Sequence, residues 1–285
     1  MFFIEILKVI VLGIVEGITE WLPISSTGHM MLLEKFWPLV NQSEDFKDAF
    51  FYTIHFGAIL AVVCLFFKKL FPFGRKKKTL DNGKIRTIIA PKKKVFLLWA
   101  KVAVACIPAL IGLVVGIPDS PLVIALALIF YGILFILVED VKKKKQRPFK
   151  VEDTYDITFG HALIIGCAQV LAIIPGTSRS GVTILAALLI GISRPAGAEF
   201  TFFLAIPVMV GASALKIFSA LISGYAFTFL DFSCIVVGCT VAFIISLATV
   251  KLLMNFVKKH DFTPFGWYRI VLGLIVLILV ASGKM

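Results

Sequence analysis

The sequence contains few charged residues for its length. Asp, Glu, Lys and Arg make up only 16% of the 285 positions, whereas hydrophobic residues make up 59%. Soluble globular domains have about 25% charged and about 45–50% apolar residues, so this composition excludes a soluble domain. An α-helix needs about 20 mostly apolar residues to cross a bilayer, and the chain is long enough for several such helices. We therefore expect an integral membrane protein.

Cysteine patterns that bind metals or form disulfides are also absent. No C-x-x-C or Cys/His spacing occurs, and all the cysteines fall inside hydrophobic runs. Thiolate metal sites and structural disulfides are therefore not expected. The cysteines are Cys64, Cys106, Cys167, Cys234 and Cys239.

Acidic residues are fewer than basic ones, 17 against 29, and the formal net charge is +12. In a soluble protein this excess would suggest nucleic acid. Here the basic runs lie between hydrophobic segments, which is typical of cytoplasmic loops, and no nucleic-acid partner is expected. We predict that residues 68–94 and 141–156 are cytoplasmic and that 117–120 and 223–230, which lack Lys and Arg, are external. A specific anionic-lipid site in the basic loops stays open as the alternative.

The hydrophobic segments fall into two classes. Four shorter ones form two pairs, 2–22 with 26–38 and 157–174 with 181–192, and a turn rich in Pro, Gly, Ser and Thr separates the members of each pair. The second member is too short to cross the bilayer. We predict two re-entrant helical hairpins, whose irregular backbone must be surrounded by protein or a water-filled cavity. The six predicted transmembrane helices are 48–67, 95–116, 121–139, 197–222, 231–257 and 266–283.

The order of these segments indicates inverted repeats. If the basic loops are cytoplasmic, the first hairpin enters from outside and the second from inside, and three spans follow each one. We predict a single all-α membrane domain, with repeats at approximately 1–141 and 157–285 joined by the basic cytoplasmic linker 142–156. In such folds the functional site lies near the midplane, between the repeats, where broken helices point their N-termini inward.

A weak internal similarity supports the repeats. A shift of 153 residues brings the two hairpin turns into register, with three identities and two similar pairs. The matched pairs are Gly13 with Gly166, Ser25 with Ser178, Gly28 with Gly181, Glu16 with Gln169, and Thr27 with Ser180.

The first hairpin carries two carboxylates in a hydrophobic run. Glu16 and Glu20 are four residues apart, so they share one helix face. Ionisable residues inside a membrane segment usually face a cavity and mark function. Their spacing suits a divalent cation with oxygen ligands, Mg²⁺ or Ca²⁺. The alternative is a pair of interfacial carboxylates near a helix end.

Hydroxyl residues follow the proline of the same hairpin. Ser25, Ser26 and Thr27 are residues that commonly cap helix N-termini. Gly28 and His29 come next, and the free N–H groups of a helix start bind phosphate. Simple capping, and a histidine that only faces its own helix bundle, are the alternatives.

The second hairpin repeats this chemistry with a positive charge. The planar fork of Arg179 matches phosphate oxygens, although pairing with Glu16 or Glu20 stays open. Gln169 can hydrogen-bond in the same cavity. Together the two hairpins predict a site for phosphate or diphosphate with a cation, and an apolar tail could lie in the bilayer. The expected binding residues are Ser25, Thr27, Gly28, Gln169, Gly176, Thr177, Ser178, Ser180 and Thr183.

Three segments resemble the signature motifs of the undecaprenyl-diphosphate phosphatases, the bacitracin-resistance protein family of bacteria. The resemblance covers nearly the whole chain. It implies hydrolysis of undecaprenyl diphosphate to undecaprenyl phosphate and phosphate, which supplies the lipid carrier for peptidoglycan and other envelope glycans. It also implies divalent-cation dependence, a bacterial plasma-membrane location and a cavity open to the outer face. The segments are Glu16-x-x-x-Glu20, Ser25-Ser26-Thr27-Gly28-His29 and Pro175-Gly176-Thr177-Ser178-Arg179-Ser180.

A second class of membrane lipid phosphatases, of the phosphatidic-acid phosphatase type, does not fit. Its pattern needs a K-x6-R-P run and a distant second histidine after an S-R pair. Both Arg-Pro pairs of this sequence lack the upstream Lys, and no His follows Arg179 until His260. We therefore exclude that class.

In-line displacement at phosphorus gains mostly from positioning and charge stabilisation. We expect Arg179, together with a cation held by Glu16 and Glu20, to neutralise the developing charge. His29 is the expected general base, because its pKa range suits proton transfer near neutral pH. It would take a proton from a water or from the Ser26 hydroxyl, so a covalent phosphoserine step stays open.

A carrier or flippase for polyprenyl phosphate is the alternative function. Inverted repeats with opposed hairpins are a transporter plan, and a fold does not settle function. A carrier needs Arg179 and the helix N-termini to hold phosphate, but it has less use for the Glu pair and His29. Membrane lipids are expected contacts, and homo-oligomerisation stays open.

Overall fold

The computed structural model describes residues 2–39, 43–79, 85–113, 120–145 and 148–285. Most of these residues are helical, as expected for a chain whose backbone polar groups must be satisfied inside a bilayer. The α-helices of the described chain are α1 (Phe2–Thr19), α2 (Ser26–Phe36), α3 (Glu44–Leu65), α4 (Phe67–Leu70), α5 (Lys93–Cys106), α6 (Pro121–Lys145), α7 (Phe159–Gln169), α8 (Arg179–Leu189), α9 (Arg194–Ile222), α10 (Phe229–Val257) and α11 (Thr263–Ala281).

The predicted membrane spans are present as long helices. Within the described residues, six helices are long and apolar enough to cross a bilayer, and they correspond to α3, α5, α6, α9, α10 and α11. The α5 span continues into a 3₁₀ segment, Pro108–Leu113. This confirms the prediction of an α-helical membrane protein with six spans. The predicted external loop 117–120 lies outside the described residues, except for Ser120.

Two pairs of shorter helices account for the remaining hydrophobic segments. The turn after α1 leads into α2, and α7, extended by the 3₁₀ turn Val170–Ile173, leads into α8. α2 and α8 have 11 residues each. At 1.5 Å per residue each is about 16 Å long, against a hydrocarbon core of about 30 Å. The helix pairs lie at the predicted positions, and their re-entrant placement in the bilayer stays a prediction.

The first helix of each pair packs closely on a span of the opposite half. α1 packs on α10, and α7 packs on α5. A methyl group on Gly13 would lie 2.9 Å from the carbonyl oxygen of Gly238, and one on Gly166 would lie 2.3 Å from that of Ala105. Glycine permits these backbone approaches, as is common between membrane helices. Inverted repeats would produce this reciprocal packing, and the repeat boundaries stay a prediction.

The basic loop between α4 and α5 forms a strand pair that the sequence analysis did not predict. β1 (Phe73–Thr79) pairs in antiparallel fashion with β2 (Ile85–Pro91). The β-branched residues of β2 favour a strand, but the lysines of β1 make the segment look like a solvated loop. The strands lie in the loop that is predicted to be cytoplasmic.

A buried carboxylate joins the end of α6 to the second half of the chain. Glu139 is fully buried. Its two oxygens accept hydrogen bonds from Nε and Nη2 of Arg194 at 2.9 and 2.5 Å, and Oε1 also accepts one from the Phe262 backbone N–H at 3.1 Å. A bidentate, charge-assisted pair has strict geometry, so it fixes the start of α9 and the approach to α11 relative to α6.

Candidate active site

The two hairpins turn with the same backbone geometry. Ser25 and Ser178 precede α2 and α8 and have φ values of 73° and 69°. Among the described residues they are the only non-glycine positions with positive φ, a conformation that is strained for a side chain of L chirality. Each serine Oγ accepts a hydrogen bond from a backbone N–H, of Gly28 at 3.3 Å and of Gly181 at 3.1 Å. Each turn therefore has a serine N-cap, so the alternative role of helix capping is present for Ser25, and Ser178 shares it.

An arginine that the sequence analysis overlooked joins the two turns. Arg269 of α11 is fully buried. Its Nη1 donates to the carbonyl oxygen of Pro23 at 3.2 Å, and its Nη2 donates to those of Gly176 and Thr177 at 2.9 and 3.0 Å. Pro23 and Gly176 are matched by the 153-residue shift. The only signal in the sequence was a lone Arg within a predicted span, where an ionisable residue is a functional candidate.

A charged cluster forms where the end of α1 meets the start of α8. Arg179 Nη2 donates to Glu20 Oε1 at 3.0 Å, and its Nη1 donates to the Thr201 carbonyl at 3.2 Å. The Ser26 hydroxyl donates to the other Glu20 oxygen at 2.7 Å. The structure therefore brings together three of the predicted catalytic residues, Glu20 and Ser26 from the two sides of the first turn and Arg179 from the second. The alternative in which Arg179 pairs with Glu20 is present in this structure.

Glu16 lies one helical turn before Glu20 and has a different environment. It is fully buried, and neither of its carboxylate oxygens accepts a hydrogen bond within the described chain. The neighbouring cationic candidate is His55 of α3, whose Nδ1 lies 3.2 Å from Glu16 Oε1 without hydrogen-bond geometry. A buried carboxylate that is neither paired nor hydrogen-bonded is strongly disfavoured, so this position requires a cation or a proton.

His55 completes a group of side chains that could hold a metal ion. One donor atom from each of Glu16, Glu20 and His55 lies within 4.8 Å of the others. His55 Nε2 is 4.0 Å from Glu20 Oε2. The sequence analysis missed His55, whose only signal was an ionisable residue inside the span 48–67.

These side chains face a cavity of about 850 Å³. This volume lies within the range of small-molecule sites, about 300–1,000 Å³, and it accommodates a diphosphate head group. Gln169 also faces the cavity, is buried, and has no hydrogen-bond partner for its side-chain amide within the described chain. The predicted residues that line the cavity are Glu16, Glu20, Ser26, Thr27, Gln169, Gly176, Ser178, Arg179 and Ser180.

His29 is turned away from this cavity. Its Nδ1 lies 2.7 Å from the Ser25 carbonyl oxygen, and its Nε2 lies 2.7 Å from the hydroxyl of Tyr268 in α11. The imidazole also stacks on the Tyr268 ring, with 5.7 Å between centroids. The structure therefore does not bring His29 together with Glu20 and Arg179 in the cavity lining.

Four of the predicted binding residues lie behind the turns rather than in the cavity lining. Ser25, Gly28, Thr177 and Thr183 are buried. Thr183 donates from Oγ1 to the Arg179 carbonyl at 2.9 Å, as a threonine inside a helix often does toward the preceding turn. These residues shape the two helix starts that face the cavity.

Known proteins are similar in sequence to this chain over almost its whole length. Residues 9–275 match the family described as "Bacitracin resistance protein BacA". An undecaprenyl-diphosphatase from Enterococcus faecalis is 54% identical over 98% of each chain. Undecaprenyl-diphosphatases from Lachnoclostridium phytofermentans and Desulfitobacterium hafniense are 51% and 50% identical, over 97% and 99% of this chain and 97% and 98% of theirs. The chain therefore belongs to the bacitracin resistance protein BacA family.

Proposed function

We propose that this protein hydrolyses undecaprenyl diphosphate to undecaprenyl phosphate and inorganic phosphate. Membership of the BacA family and the names of its relatives support this activity. The observation that carries the proposal is the contact of Arg179 and Ser26 with the two oxygens of Glu20, inside a cavity that the fully buried Glu16 also lines. The product would return the lipid carrier to peptidoglycan and envelope synthesis.

The two helix starts provide the site for the diphosphate. The N-termini of α2 and α8 carry partial positive charge and unsatisfied N–H groups, which favour phosphate oxygens. Arg179 pairs with Glu20 in this structure, and its planar fork can contact two phosphate oxygens when substrate enters. The hydroxyl of Thr27 lines the same cavity and can donate a further hydrogen bond. Ser178 and Ser180 also line it, but the Ser180 hydroxyl donates to the Glu20 carbonyl at 3.1 Å and lies 3.2 Å from Ser178 Oγ, so substrate would have to replace these contacts.

Glu16 and Glu20 are the proposed ligands of a divalent cation, Mg²⁺ or Ca²⁺. The residues fit a cation, because Glu16 is a fully buried carboxylate whose oxygens have no hydrogen-bond partner within the described chain. Carboxylate oxygens are the ligands that these ions prefer. When bound, such an ion neutralises the negative charge of the phosphoryl oxygens.

Ser26 is the proposed nucleophile. Its hydroxyl lines the cavity and donates to Glu20 Oε2 at 2.7 Å, so the carboxylate can accept its proton. The Oγ attacks the terminal phosphorus, the anhydride P–O bond breaks, and undecaprenyl phosphate leaves with the bonding electrons. Water then hydrolyses the phosphoserine and releases phosphate. The other route, water activated by His29, requires His29 to face the cavity, whereas Ser25 and Tyr268 hold both its ring nitrogens.

The proposed location is the bacterial plasma membrane, with the basic loops in the cytoplasm and the cavity open to the outer face. The loops rich in Lys and Arg support this orientation through the positive-inside rule. In a background without native Cys, a cysteine at Ser120 should react with an impermeant thiol reagent on intact cells, and one at Lys77 should not. The reverse labelling pattern would overturn the orientation.

The function is tested by phosphate release from purified protein in detergent or proteoliposomes. Undecaprenyl diphosphate with a divalent cation should yield phosphate and undecaprenyl phosphate in equal amounts. The reciprocal packing of the two halves favours the carrier as the second candidate. Transfer of polyprenyl phosphate between leaflets without any phosphate release would support the carrier function and contradict the phosphatase function.

A further inference from the structure

We propose that His55 is a third ligand of the cation held by Glu16 and Glu20, and that its nitrogen raises the affinity of this site for transition-metal divalent ions. This inference rests on the cation site of the proposed function and adds to it a nitrogen donor from α3. The observation behind it is the group of three donor atoms, one each from Glu16, Glu20 and His55, that all lie within 4.8 Å of one another.

The separations of these atoms suit one shared ion. One donor atom from each of the three side chains lies within 4.8 Å of the others. An imidazole binds one ion through a single nitrogen, and His55 Nδ1 lies 3.2 Å from Glu16 Oε1, whereas Nε2 lies 4.0 Å from Glu20 Oε2. Ligand atoms bound to a single ion at about 2.0–2.5 Å are separated by at most about 4–5 Å. The side chains therefore need only small rotations to contact one ion.

The local contacts leave the Glu16 oxygens and His55 Nδ1 available. Glu20 Oε2 already accepts a hydrogen bond from the Ser26 hydroxyl at 2.7 Å, so the ion would share that oxygen with Ser26. Both Glu16 oxygens are buried and accept no hydrogen bond within the described chain. His55 lines the cavity, and its ring stacks on Tyr52, one turn earlier in α3, with 6.2 Å between centroids. Arg179, the remaining charged group of the cluster, contacts Glu20 through the oxygen opposite the one near His55.

A simple ion pair between protonated His55 and Glu16 is the competing explanation. It accounts for the 3.2 Å separation, but it leaves Glu16 Oε2 buried and without a partner within the described residues. A cation can contact that oxygen as well, so the metal site explains more of the geometry.

The nitrogen ligand changes which ions the site prefers. Two carboxylates suit Mg²⁺, Ca²⁺ and Mn²⁺, whereas imidazole adds affinity for Fe²⁺, Ni²⁺ and Zn²⁺, and every ion bound by all three residues loses one ligand without His55. We expect His55→Gln to keep a weaker site for Mg²⁺ and to reduce affinity for Mn²⁺ by at least about tenfold, since even outer-shell changes have effects of that size.

Mn²⁺ and pulsed electron paramagnetic resonance test this directly, without any turnover. Purified full-length protein is titrated with Mn²⁺, and nitrogen modulation of the electron spin echo reports a histidine nitrogen on the ion. Wild type should show this modulation, and His55→Gln should bind Mn²⁺ more weakly and without it. The matched control is His260→Gln, on an exposed loop, which should keep the wild-type signal.

The outcomes separate this inference from the cation site itself. Saturable Mn²⁺ binding without nitrogen modulation, with the same affinity in His55→Gln, would overturn the role of His55 and leave the two-carboxylate site intact. No saturable binding in wild type would overturn both. Loss of modulation in His55→Gln together with a shift of preference toward Mg²⁺ would support the inference.

Discussion

The turn before α2 and the turn before α8 have nearly the same backbone and opposite chemistry. Ser25 and Ser178 share a positive φ and a side-chain cap to a glycine three residues later. Directly after them, the first hairpin has Ser26 and the second has Arg179. The helix starts are duplicated, whereas the groups that would act on a substrate differ. One hairpin supplies acid and hydroxyl, and the other supplies the positive charge.

A second matched pair shows the same divergence. Glu16 and Gln169 correspond under the 153-residue shift, both are buried, and neither side chain has a hydrogen-bond partner within the described residues. Both line the cavity, but only Glu16 can carry negative charge. The two hairpins thus differ in chemistry at a few matched positions, and the charged cluster forms only where they meet.

The largest expected effect comes from replacing the hydroxyl next to the first turn. Ser26→Ala should lower phosphate release by at least about 10³-fold, because it removes the nucleophile. Rapid acid quenching with labelled substrate should trap phosphate on wild type and not on the variant. His29→Ala should keep far more activity, since His29 faces Tyr268. A severe loss in His29→Ala with substantial turnover in Ser26→Ala would reverse the two roles.

Two substitutions, Glu16→Gln and Gln169→Glu, test why only one of these matched positions carries a negative charge. Glu16→Gln makes the two hairpins alike at this position, and it should reduce turnover by about 10²–10³-fold and weaken the cation dependence. Gln169→Glu adds a third buried carboxylate, beside Glu16 and Glu20, that repels the diphosphate, so it should raise KM more than it lowers kcat. Cation titrations of phosphate release measure both. An unchanged titration in Glu16→Gln would remove Glu16 from the cation site.

A further substitution tests whether the shape of the Arg179 side chain matters as well as its positive charge. Arg179→Lys keeps the charge but loses the fork that reaches Glu20 Oε1 and the Thr201 carbonyl together. We expect phosphate release to fall by about 10²-fold, the loss typical of one donor aimed at transition-state charge. Near-normal kcat and KM would mean that the guanidinium serves only the ion pair with Glu20.

Arg269 should affect both turns at once. Arg269→Lys cannot reach the Pro23, Gly176 and Thr177 carbonyls together, so carbonyl oxygens of the two buried turns lose their hydrogen-bond donor. Hydrogen bonds to charged groups contribute about 1.5–3 kcal/mol each, so the denaturation midpoint in detergent should fall clearly. Activity should fall by about tenfold, because the helix starts lose their alignment. A variant with the wild-type midpoint would show that the turns hold their shape alone.

The smallest effects test whether the turns are equivalent. Glycine adopts positive φ without strain. Ser25→Gly and Ser178→Gly therefore each lose the hydrogen bond of the serine cap, which destabilises the fold, but also relieve backbone strain, which stabilises it. We expect both variants to change the free energy of unfolding by less than about 1 kcal/mol, and by similar amounts. Denaturation midpoints measured side by side decide this. A large loss in one turn alone would break the equivalence.

The sequence predicted the elements better than their contacts. The spans and both turns were predictable, because long apolar runs and Pro-Gly-Ser segments act locally. The motif residues Glu20, Ser26 and Arg179 do meet. His55 and Arg269 were missed because a lone ionisable residue in a span does not reveal its partner on another helix. The orientation of His29 depends on Tyr268, which is far away in sequence.

Arg269 has a mechanical consequence for how the two hairpins can move. The fully buried Arg269 side chain donates hydrogen bonds to carbonyls of both turns. If the turns moved apart, the guanidinium or the carbonyls would lose these hydrogen bonds in a place that water does not reach. Leaving such groups unpaired costs about 1–3 kcal/mol each, and more for a charge. Alternating access requires the two repeats to rock against each other in every cycle. Arg269 therefore opposes separation of the two turns, and we expect entry of the lipid to depend on movements of the surrounding spans.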